Sequence, residues 1–94
     1  MTALSDPEID ERLAQLPDWR RSGEHAIVRE DTLADFAAAV AFVNRVAERA
    51  DAANHHPDIL LHGWNKVRLT LSTHSQDALT DADFALAREI DRVA

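Results

Sequence analysis

From Thr32 to His56 neither glycine nor proline interrupts the chain, and alanine is abundant throughout that stretch. It stops at Pro57, which cannot continue a helix and which pushes the residue before it out of the α region. The stretch therefore predicts one long helix, opened by Thr32-Leu33-Ala34-Asp35 and finished near Asn54-His55, with His56 forced towards an extended backbone. Phe36, Val40, Val43, Ala47 and Ala50 form its apolar stripe, and Phe42 and Val46 widen it. The rest of a 94-residue chain has to fold around this element.

Beyond Pro57 the period changes. Asp58 to His62 reads as a strand and Gly63 as the turn or bulge after it. From Lys66 to Thr73 the chain alternates: Val67, Leu69, Leu71 and Thr73 point one way, Lys66, Arg68, Thr70 and Ser72 the other. That is a strand in a sheet with one covered face. Ahead of the long helix, Ser5-Asp6-Pro7-Glu8 has the form of a capping box, and Ile9, Leu13 and Leu16 succeed it at helical spacing until Pro17. Two short strands, Trp19 to Arg21 and His25 to Arg29, flank the turn residues Ser22-Gly23. Thr80-Asp81-Ala82-Asp83 caps a last helix bearing Phe84, Leu86, Ala87, Ile90 and Val93. The order α-β-β-α-β-β-α predicts an α+β fold: an antiparallel four-stranded sheet with helices packed on one face.

Residues 1–94 are expected to form a single domain. A chain of this length buries roughly 60–68% of its unfolded surface, so association with a second copy would help it. A formal charge of −7 with scattered basic residues argues against nucleic-acid binding, which needs clustered Lys and Arg. No run of 18 or more apolar residues exists to span a membrane, and the first residues lack the pattern of a signal peptide. A cytoplasmic protein is expected. Cysteine is absent, which leaves no disulfide and no thiolate nucleophile or ligand.

The chemistry-bearing residues cluster at the two ends of the second hairpin. His55 and His56 precede Pro57, and His74 closes Ser72-Thr73-His74. In an antiparallel pair the start of one strand faces the end of the next, so His74 is expected near His55 and His56. Histidine exchanges protons near neutrality, with an unperturbed pKa of about 6.5. Asp51 stands four residues before His55, a spacing that would bring its carboxylate to that imidazole on a helix. The set reads as a proton-transfer site. A metal site is the next alternative, though no His-x-x-x-His or Cys pattern supports it. His25 and His62 read as surface residues, Phe36, Phe42 and Phe84 as core, and Trp64 as an interface or strand-pairing aromatic.

The chain resembles the pterin-4a-carbinolamine dehydratase family. The resemblance is carried by Phe42-Val43-Asn44-Arg45-Val46-Ala47, Asn54-His55-His56-Pro57-Asp58, Asn65 through His74, and Leu79-Thr80 with Asp83 and Leu86-Ala87. It implies dehydration of 4a-hydroxytetrahydropterin to quinonoid dihydropterin, with no metal or redox cofactor. It implies His55, His56 and His74 as the catalytic set, and Asp51, Pro57, Ser72 and Thr73 as substrate-binding residues. Partners implied are a reduced pterin and further copies of the chain, as homodimer or homotetramer. An alternative from another class is a protein-binding module, since members of the family also serve as a dimerisation cofactor or an assembly factor. Two departures stand out: one extra residue within Asp58 to Trp64, and no glycine before Leu79.

Overall fold

The computed structural model describes residues 2–94. In chain order it contains α1 (Asp6–Leu13), β1 (Arg20–Ser22), β2 (Ala26–Thr32), α2 (Phe36–Ala53), β3 (Asp58–His62), β4 (Lys66–Leu71), a 3-10 turn (His74–Gln76) and α3 (Asp81–Val93). The strands form one antiparallel sheet in the order β1-β2-β4-β3. Val67, Leu69 and Leu71 of β4 and Ile27 of β2 face the helices, where they meet Phe42 and Val46 of α2 and Phe84 and Ile90 of α3. This is the α+β architecture with helices on one face that the periodicities predict.

The ends of the elements obey local chemistry. Ser5 caps α1 reciprocally with Glu8: the Glu8 amide donates to Ser5 Oγ at 3.3 Å, and the Ser5 amide donates to Glu8 Oε1 at 2.9 Å. α1 ends at Leu13, short of Pro17, and Leu16 still reaches the core through a turn.

Two expectations for α2 need correction. The helix starts at Phe36, because Thr32 is spent in β2, which pairs residue by residue with β4 from Ile27↔Leu71 to Thr32↔Lys66. Asp35, the last of the four residues expected to open the helix, is the cap, accepting from the Ala38 amide at 2.7 Å. The buried stripe is also rotated: Ala39, Phe42, Val46 and Ala50 face the core, while Val40 and Ala47 lie exposed and Phe36 is 56% exposed. Both stripes have helical spacing, so periodicity alone does not choose between them. Packing against Phe84 and β4 does.

The segment after Pro57 keeps its strand register unbroken up to the turn at Gly63. β3 and β4 pair continuously from Asp58↔Thr70 to His62↔Lys66. Gly63 and Trp64 both adopt positive φ, 53° and 59°. Asn65 then closes the turn, donating its amide to Gly63 O at 2.7 Å and its side-chain Nδ2 to Leu33 O at 3.0 Å. No strand face is flipped, and the inward set Val67-Leu69-Leu71-Thr73 survives intact.

Candidate active site

α2 ends at Ala53, and Asn54 takes the left-handed conformation (φ 50°, ψ 41°) that closes helices. The His55 amide then donates back to Ala50 O at 3.2 Å. This reversal of the chain overturns the expected pairing of Asp51 with His55. Spacing of four brings side chains together only while the helix continues, and here it stops between them. His56 Nε2 lies 3.0 Å from Asp51 Oδ1 instead, in a pair exposed to solvent.

His55 turns inward to a partner outside the expected site set. Its Nε2 is 2.6 Å from Oδ1 of Asp83, a carboxylate with no accessible surface, and the His55 side chain itself is 14% exposed. Oδ2 of Asp83 accepts from the Thr73 hydroxyl at 2.8 Å and from the Thr80 amide at 3.0 Å. An ionised carboxylate only accepts, so its short contact with His55 places the ring proton on Nε2. Nδ1 is left as the ring nitrogen available to another partner. A buried carboxylate survives only when paired and hydrogen-bonded, and His55, Thr73 and Thr80 meet that need.

The sequence does carry a sign of Asp83. Positions 83, 86, 87 and 90 share one helical face, and Leu86, Ala87 and Ile90 are its buried members. An aspartate in register with that stripe must find a partner. Its capping role at the start of α3, where Thr80 accepts from the first-turn amides, masks the second one.

β4 delivers the other wall. Thr73 continues the inward alternation and is buried, while its amide donates to Ala78 O at 2.9 Å to form an isolated bridge. Between these two residues the chain makes the 3-10 turn that begins with His74. In the absence of the glycine before Leu79, Asp77 takes the left-handed position (φ 48°). Aspartate tolerates it better than most residues.

Asn54, His55, His56, Ser72, Thr73, His74 and Ser75 together line an open cleft of about 330 Å³, within the usual range for a small-molecule site. The hairpin thus brings the three expected histidines, Ser72 and Thr73 to one place. Asp51 stands behind His56, and Pro57 sets the backbone after it without lining the cleft. His62 is at the far end of β3, opposite Lys66. His25 lies beside Glu24 in the turn between β1 and β2. Among the described residues no group of three or more His, Cys, Asp or Glu is arranged to hold a metal ion. Imidazoles from two separate segments, one of them anchored on a buried carboxylate, form an arrangement suited to moving protons on a bound small molecule.

Comparison with known proteins places these residues in a wider setting. Residues 2–93 match the family model described as Pterin 4 alpha carbinolamine dehydratase. A protein of Chloroflexus aggregans named "Putative pterin-4-alpha-carbinolamine dehydratase" is 52% identical over 93 residues, covering 99% of this chain and 98% of that one. A Nocardia farcinica protein of the same name is 52% identical over 91 residues, covering 97% and 94%. Among solved structures, a transcriptional coactivator/pterin dehydratase from Brucella melitensis superposes with a TM-score of 0.92 at 33% identity, covering 99% of each chain. A pterin dehydratase-like RuBisCO assembly factor of the alpha-carboxysome shares the fold, with a TM-score of 0.69 over 82% of this chain and 89% of that one, at 24% identity.

Proposed function

The chain belongs to the pterin 4 alpha carbinolamine dehydratase family, and from that membership we propose that it dehydrates 4a-hydroxytetrahydropterin to quinonoid dihydropterin by histidine acid–base catalysis. The observation that carries the reading is the shared cleft of His55, His56 and His74, with His55 anchored on Asp83. The reaction removes a proton from N5 and expels the 4a-hydroxyl as water. His55 holds one ring proton against Asp83 and has Nδ1 to accept the N5 proton. The buried carboxylate then stabilises the imidazolium that forms. His74, from the other segment, delivers a proton to the departing hydroxyl. His56, paired with Asp51, holds the pterin and is the second candidate for that donor. Ser72 and Thr73 offer backbone and hydroxyl groups to the pterin ring. Positioned acid–base groups of this kind contribute roughly 10²–10⁴-fold.

The reading includes pterin recycling in the cytoplasm and a homodimer or homotetramer. No helix is long and apolar enough to cross a membrane among the described residues. Phe36 and Val40 on α2, and Ile59, Leu60 and Trp64 on and after the edge strand β3, expose apolar area that a second copy would cover. Sedimentation showing a monomer at micromolar concentration would remove that part. The same exposed side chains favour one second reading, a binding module like the coactivator named for the Brucella relative, which need not exclude catalysis.

The test is stopped-flow absorbance on freshly formed 4a-hydroxytetrahydropterin. Wild-type protein should speed its loss well above the spontaneous rate. The paired change His55→Ala with His74→Ala should return it to that rate with the fold retained. Turnover untouched by the pair would show that the site is elsewhere.

A further inference from the structure

We propose that Thr80, which lies behind the cleft, is a positioning residue for His55: its hydroxyl acts through Thr73 to set how strongly Asp83 holds the His55 ring proton. This rests on the dehydratase reading for its bearing on catalysis, and on the direction of hydrogen bonds for everything else.

Thr73 has one hydroxyl proton, and donates it to Asp83 Oδ2 at 2.8 Å. Thr73 Oγ1 also lies 2.8 Å from Thr80 Oγ1. With its own proton committed, Thr73 is the acceptor there and Thr80 the donor. Thr80 Oγ1 accepts in turn from the Ala82 amide at 3.3 Å. Protons are therefore donated in one direction, from α3 through Thr80 and Thr73 to Asp83, whose other oxygen takes the His55 proton. Thr73, Thr80 and Asp83 are all buried, so solvent does not compete for these bonds. Hydrogen bonds in such a chain polarise one another, and each donor stabilises the carboxylate charge at its end.

Removing the Thr80 hydroxyl weakens the Thr73 donor and leaves Asp83 more basic. A more basic carboxylate favours the imidazolium of His55. The other titratable groups around that ring are His56 and His74 across the cleft, with Asp51 engaged on His56. None is altered by a change at Thr80, whose amide bond to Asp83 and capping of α3 are separated from the hydroxyl chain by the Thr73→Val background used below. The same Thr73 also carries the backbone bridge that begins the His74 turn, which links the two histidine-bearing walls through one residue.

The experiment is NMR titration of the His55 imidazole in isotope-labelled protein, with no substrate present. Thr80→Val should raise the midpoint, and Thr80→Ser should leave it in place. In a Thr73→Val background, Thr80→Val should add nothing, because the chain is already cut. A midpoint unmoved by Thr80→Val overturns the proposal. So does an equal shift in the Thr73→Val background, which would mean that Thr80 acts only as the cap of α3. If Thr80→Val does not fold, Thr80→Ala is read in the same way. Failure of both to fold makes Thr80 a structural residue and also overturns the idea. Because no turnover is needed, an inactive wild type would refute the dehydratase reading and leave this result standing.

Discussion

Replacing Asp83 by alanine removes the acceptor of three donors at once. His55 Nε2, the Thr73 hydroxyl and the Thr80 amide all point at its carboxylate from within 3.0 Å. The Thr73 hydroxyl keeps its contact with Thr80, 2.8 Å away, but its own proton loses the acceptor it had in Asp83. The Thr80 amide is left without that acceptor in a buried setting, at about 1–3 kcal/mol. His55 loses a short, largely buried contact, and truncating one partner of a buried pair costs about 3–5 kcal/mol. These terms overlap, so the expected loss is about 3–5 kcal/mol in total. For a domain of this size that is a fall in Tm of at least about 12 °C. Asp83→Asn is the finer probe. The amide keeps the shape, and because the Thr80 amide can only donate, the oxygen stays on that side and the new NH2 faces His55, which must move its proton to Nδ1 to remain bonded. Folding should suffer less than in the alanine variant, whereas His55 loses the Nδ1 acceptor that the mechanism needs. Urea unfolding gives the stability, imidazole nitrogen shifts give the tautomer, and the carbinolamine assay gives the rate. A loss below about 1 kcal/mol for Asp83→Ala would refute the reasoning, since truncating one partner of a buried pair costs about 3–5 kcal/mol.

Other expectations are simpler. The Ser5 amide, with the Ser5 hydroxyl second, holds the Glu8 carboxyl below its ordinary 4.5. A lowered folded pKa means that this contribution is complete above 4.5 and is lost as pH falls through the folded value. Glu8→Gln should therefore flatten the acid limb of the stability profile below pH 4.5, as read by thermal melts across pH. Trp64 is 61% exposed and left-handed (φ 59°), so Trp64→Asn should raise stability by about 0.5–1 kcal/mol in denaturant titration of the monomeric state. Asp51→Asn should change folding stability by no more than about 0.5 kcal/mol, because its pair with His56 is exposed. Any larger effect should appear in KM for the pterin.

How far these features are legible in the sequence depends on whether they are local. Pro57 fixes the end of α2 to within a residue, and the alternation of Val67, Leu69, Leu71 and Thr73 marks the inward face of β4. Together those two signals predict that the hairpin returns His74 to His55 and His56, and the three line one cleft. The start of α2 escapes a local reading because Thr32 is claimed by a long-range ladder with Lys66, and a ladder overrides a capping signal. The stripe of α2 escapes it because two apolar faces have the same period. The partner of His55 escapes it because Asn54 breaks the helix inside the four-residue interval from Asp51. Asp83 comes from 28 residues further along. Only the burial of its helical face distinguishes it from an ordinary cap residue.

The central claim is that His55, anchored by Asp83, removes a proton from a bound 4a-hydroxytetrahydropterin. The most direct measurement is the stopped-flow dehydration rate of wild type beside His55→Ala, at about pH 7, near the ordinary range of histidine, and equal protein concentration. The account predicts acceleration by the wild type and a loss of roughly 10²-fold or more in kcat/KM for the variant. Equal rates for the two folded proteins would contradict it.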